Sequence, residues 1–94
     1  MEKTKLITGN KRILQFLTDR IEVWEHEYYD YAAESAGYNN DWNKLLPAVD
    51  KINKSINTST YDFNELYRGL RQVNIELVWE ETVKFIEWYR INGV

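Results

Sequence analysis

Two apolar stripes at helical spacing constrain this chain more than any motif it carries. From Asp41 to Ile56, the residues Trp42, Leu45, Leu46, Val49, Ile52 and Ile56 gather on one side at about 100° per residue, and Lys44, Asp50, Lys51 and Lys54 lie away from them. From Ile75 to Tyr89, a broad face of Ile75, Val78, Trp79, Thr82, Val83, Phe85, Ile86 and Tyr89 stands opposite Glu76, Glu80, Lys84 and Glu87. Asp41 is the expected N-cap of the first helix, and Asn92-Gly93 the stop of the second. Pro47 lies too deep for a first-turn proline, so the opening turn is expected to kink or the regular helix to start near it.

Elsewhere the spacing admits two readings. A helix is expected to open near Asn10, a good cap residue, and to carry Ile13, Leu14 and Leu17 up to Thr18-Asp19. Arg20 to Trp24 then alternates as a short strand would, although Leu14, Leu17, Ile21, Trp24, Tyr28 and Tyr31 also fit one long helix to about Ser35, capped by Gly37. Tyr61 and Phe63 alternate with Asp62 and Asn64 like an edge strand. Gly69 suggests a turn and Leu70 to Val73 a returning strand, although Asp62 and Glu65 also resemble a helix-capping pair.

Ninety-four residues suit one domain spanning 1–94, and 44% hydrophobic content is enough to build a core. Fifteen acidic against twelve basic residues leave a net charge of -3, which weakly repels a phosphate backbone. The chain has no cysteine, which excludes disulfides and thiolate chemistry and makes a reducing cytoplasm the expected compartment. Leu6-Ile7 is too short for a signal-peptide core or a membrane span, so no membrane association is expected.

Chemistry is sought with little return. His26 is the single histidine, in Trp24-Glu25-His26-Glu27, and no second histidine completes a usual zinc set. No serine or threonine has a base other than His26, and Gly9-Asn10-Lys11 and Arg68-Gly69 are too sparse to cradle phosphate. The expectation is a non-enzyme with no cofactor and no metal. Two surfaces are candidates for binding. Leu77 and Trp88 fall outside the main apolar arc of their helix and bracket Glu81 and Lys84, which reads as a ridge for a partner protein. Lys44, Lys51 and Lys54, followed by Arg68 and Arg71, form a basic stripe that would suit RNA.

Two stretches carry a resemblance. Asp41-Trp42-Asn43-Lys44-Leu45-Leu46-Pro47-Ala48-Val49-Asp50-Lys51-Ile52 is similar to a Trp-Asp-Trp-Leu-Met-Pro-Val-Val-Glu-Lys-Ile run in small proteins of Bacteroidetes phages and prophages. Ile75 to Tyr89 resembles the Ala-Val-Val-Glu-Phe-Ile-Lys-Trp-Tyr helix that closes them. Together the stretches cover 27 of the 94 residues, 12 in the first and 15 in the second. The chain departs from that pattern at Asn39, where the family often has His, and at Lys44, where it has a second Trp. The resemblance implies an α+β domain, two or three helices packed on a short antiparallel sheet, with an all-α helical bundle as the alternative. It also implies a mobile-element setting. With small size, acidic charge and abundant aromatics, that setting suggests an anti-CRISPR type of inhibitor acting on a host protein or ribonucleoprotein effector, the alternative being a small RNA-binding protein.

Overall fold

The structure, a computed structural model, describes residues 2–20, 26–55 and 61–92. Over these the elements are α1 (Lys3–Thr18), a 3-10 turn (Glu27–Tyr29), α2 (Asp30–Glu34), α3 (Trp42–Ser55), α4 (Asn64–Arg71) and α5 (Ile75–Asn92). No strand occurs among the described residues, so the expected α+β layer structure is corrected to an all-α fold. Of the first expected strand, Ile21 to Trp24 lies outside the described residues.

The second expected strand pair fails for a visible reason. Tyr61 and Phe63 do not point to opposite faces of a sheet: both rings pack on Phe85, at centroid distances of 5.2 and 5.7 Å. Asp62 leads into α4, its Oδ1 accepting the Asn64 N–H at 2.9 Å, but the N-cap position is Phe63, which has no side-chain cap, and Glu65 pairs with Arg68. Gly69, read as a turn, lies inside α4, where a Cβ would stand 2.8 Å from Val78 Cγ2. Its absence lets α4 approach α5 closely. The helix ends where the Asn74 N–H reaches the Gly69 carbonyl (2.9 Å) and the Val73 N–H the Leu70 carbonyl (3.2 Å), with Val73 left-handed at φ 52. Glycine is the usual occupant of that position. Asn74 Oδ1 goes on to accept the Leu77 N–H at 3.2 Å and caps α5.

α1 begins at Lys3, well ahead of the expected start at Asn10. Thr8-Gly9-Asn10 has the composition of a helix boundary, yet here tertiary contacts override local propensity. Gly9 is buried because the edge of the Trp79 ring occupies the space a side chain would take. Asn10, fully buried, is no cap: its Nδ2 donates to the Ala33 carbonyl of α2 at 2.8 Å, and its Oδ1 accepts the Trp79 Nε1–H at 2.8 Å. One side chain thus ties α1, α2 and α5 together. The helix ends at Thr18 as expected, with Asp19 left-handed at φ 54, which rules out a continuous helix to Ser35.

α3 keeps the face read from its sequence. Asp41 Oδ1 accepts the Asn43 N–H at 2.9 Å, and Leu45, Val49 and Ile52 are buried together with Ala48, while Leu46 turns partly to solvent. Pro47, exposed, is accommodated inside the helix without ending it. α5 is the hub, packing against α1, α3 and α4. Its contacts with α1 advance together along both helices, Lys5 with Glu80, Arg12 with Glu87 and Phe16 with Tyr89, so the first and last helices run parallel.

Candidate partner-binding cleft

α1 and α5 touch where Gly9 meets the Trp79 ring, and a cleft of about 430 Å³ lies between the two helices at the surface. It is lined by Lys5, Thr8, Val83, Glu80 and Glu87 over the buried Gly9 and Trp79. Two ion pairs cross between the helices, Lys5 Nζ to Glu80 Oε1 at 3.1 Å and Arg12 Nε to Glu87 Oε1 at 3.9 Å. From one pair to the next each helix advances by one heptad, the spacing that keeps neighbouring helices in register. The floor is held from below by the Asn10 bond to the indole, so the cleft sits on a rigid support.

The four residues expected to form a partner-binding ridge are not equally placed. Trp88 is half-buried in an aromatic cluster, its ring 5.1 Å from that of Tyr61 and 5.9 Å from that of Phe85. Leu77 is half-buried where α4 crosses, close to Gly69. Glu81 is buried and pairs with Lys84 at 3.0 Å; that hydrogen bond, then the charge of the carboxylate, raises the Lys84 ammonium above its ordinary pKa. Lys84 alone of the four is exposed, and it borders the cleft. The helical wheel misplaced this side because it treated α5 as covered on one face, whereas α4 and Tyr61 cover a second. A helix apolar on most sides is a central one.

The basic stripe is similarly dispersed. Lys51 reaches back to the end of α1, donating to the Phe16 carbonyl and to Asp19 Oδ1 at 3.0 Å, with its Nζ 4.9 Å from the centre of the Phe16 ring. A cation at a helix C-terminus satisfies the last carbonyls and complements the dipole. Lys54 pairs with Asp50 at 2.8 Å, which raises its pKa by that hydrogen bond and then by the carboxylate charge, and Arg68 pairs with Glu65 at 2.6 Å. Lys44 and Arg71 are exposed on α3 and α4, so the five cations do not gather into one track.

His26 caps the 3-10 turn, its Nδ1 accepting the Tyr28 N–H at 2.9 Å. Among the described residues no three His, Asp or Glu side chains converge as metal ligands, and no helix is long and apolar enough to cross a membrane. No family model, curated protein or solved structure matches this chain. The cleft itself was missed in the sequence. Its one signal was the equal seven-residue spacing of Lys5 and Arg12 on α1 and of Glu80 and Glu87 on α5, opposite charges on helices not yet known to be neighbours.

Proposed function

We propose that the protein is a non-catalytic accessory protein of a phage or prophage that works in the host cytoplasm by binding and inhibiting a host macromolecule, most concretely a CRISPR-type RNA-guided nuclease effector. The observation that carries the binding part is the α1–α5 cleft, an apolar concavity rimmed by charge and left open at the surface. The setting and the class of target rest on the resemblance of the Asp41–Ile52 and Ile75–Tyr89 stretches. Of the cations the RNA-binding alternative would use, Lys51 is taken up at the C-terminal end of α1 by the Phe16 carbonyl and Asp19.

The test is co-purification of the tagged protein from a Bacteroidetes host that carries such an effector, followed by a cleavage assay on whatever nuclease is retained. Retention of the nuclease and loss of its cleavage are the expected results. Recovery of RNA alone, with binding that falls about a thousandfold or more between low and physiological salt, would replace the reading with the RNA alternative.

A further inference from the structure

We infer that the 3-10 turn carrying the exposed Tyr28 is a pH-sensitive element, closed by the neutral imidazole of His26 and opened when that ring takes up a proton.

His26 holds the turn twice. Its Nδ1 accepts the Tyr28 N–H at 2.9 Å, and its carbonyl accepts the Tyr29 N–H at 3.0 Å. A ring nitrogen accepts a hydrogen bond only while it carries a lone pair, so the contact with Tyr28 requires the neutral ring with its proton on Nε2. Protonation sets one N–H against another. Histidine changes charge between about pH 5 and 8, whereas the usual capping residues, Ser, Thr, Asn and Asp, keep an acceptor oxygen throughout that range. The same turn capped by any of them would be indifferent to pH there.

The charge that protonation adds also has the wrong sign for its place. It stands at the start of the turn that leads into α2, among backbone N–H groups that lack helical partners. From α1, Lys11 donates to the same His26 carbonyl at 3.4 Å and brings a second positive charge. Among the described residues the opposing charges are Glu27, in the turn, and Asp30 of α2, which is paired with Lys11. Neither gives the Tyr28 N–H a new acceptor.

Opening is confined to the turn because α2 is held elsewhere. Asn10 Nδ2 donates to the Ala33 carbonyl at 2.8 Å, and Lys3 pairs with Glu34 at 3.6 Å, both independent of His26. Within the turn the rings of Tyr28 and Tyr29 meet edge to face at 5.1 Å, and Tyr28 lies at the surface. Acidification therefore changes how this part of the surface presents an aromatic ring.

NMR of the intact nitrogen-labelled protein tests the device directly. At about pH 8 a scalar coupling across the hydrogen bond, between the Tyr28 nitrogen and His26 Nδ1, is expected, and at about pH 5 it should vanish. At the lower pH the Tyr29 amide should exchange about fivefold faster than in His26→Asp, which keeps its acceptor, while His26→Ala should exchange fast at both values. The Trp79 indole N–H, bonded to Asn10, is expected to stay protected throughout. A coupling that is absent at about pH 8, or Tyr29 exchange equal in the native protein and His26→Asp at about pH 5, overturns the inference. Loss of Trp79 protection with the same midpoint overturns it too, because the change would then belong to the whole fold.

Discussion

The two long sides of α5 are made of similar residues and meet different fates. On one, Leu77, Glu81 and Trp88 are covered by α4 and Tyr61; on the other, Glu80, Val83 and Glu87 face an open cleft. Each side is approached at a glycine. A Cβ at Gly69 would stand 2.8 Å from a methyl of the fully buried, β-branched Val78 and 3.2 Å from its backbone nitrogen, whereas a Cβ at Gly9 would overlap an indole ring held by Asn10. Both approaches are tight, and the one at Gly9 is the tighter. Whether a face is buried or left open is thus decided by how its neighbour lands, more than by the face's own composition.

Substituting the two glycines in parallel tests that contrast most severely. Gly9→Ala is expected to lower stability by about 3 kcal/mol through overpacking against an indole held in place, and Gly69→Ala by about 2 kcal/mol, because the regained helix propensity offsets only part of the clash with Val78. Chemical denaturation of both variants gives the comparison, and equal losses would break it. Trp88→Ala is expected to cost about 2 kcal/mol, somewhat below the loss for a fully buried ring, and to lower the melting temperature accordingly. An unchanged melting temperature would return Trp88 to the free surface first read from the sequence.

A smaller effect of opposite sign is expected at the corner that brings α4 onto α5. Val73 holds a left-handed conformation with a β-branched side chain that is 71% exposed, so Val73→Gly should raise stability by about 1 kcal/mol, seen as a higher melting temperature. A lower melting temperature would mean that the valine makes a contact the fold needs. The smallest effect concerns Tyr61, on the covered side. Burial, and then the nearby charge of Glu81, raise its phenol above the ordinary value, so the folded state favours the neutral ring. The sign follows from linkage: the contribution is fully present below the pKa of an unfolded tyrosine, about 10, and is lost as pH rises through the higher folded value. Denaturation midpoints that decline in alkali for the native protein and decline less for Tyr61→Phe are expected. Identical declines would place the phenol in water.

Legibility in the sequence followed how many neighbours each element has. α3 packs one face inward, so its wheel placed Leu45, Val49 and Ile52 correctly and its cap at Asp41 was readable. α5 was legible as a helix, but its inner arc is set by three neighbours and Leu77 and Trp88 were assigned to solvent. The first half of α1 was hidden because Gly9 and Asn10 read locally as a break and a cap, and their value lies in contacts with Trp79, 70 and 69 residues away. Residues 61–71 misled through alternation over a span too short to distinguish a strand from the entry to a helix. The candidate site needed the pairing of α1 with α5, which no local pattern contains.

That pairing has a kinetic consequence. Lys5 and Glu80 are 75 residues apart in sequence, whereas α4 and α5 are joined by the short corner at Val73. Closing the larger loop carries the greater entropy cost, so the α4–α5 hairpin can form early on its own contacts, while α1 must find its place across nearly the whole chain. In amide exchange, the backbone of α1 is then expected to open before that of the hairpin, and simultaneous opening would show the two to be a single cooperative unit. The open side of α5 is then expected to acquire its opposite wall, α1, after the α4–α5 hairpin has formed.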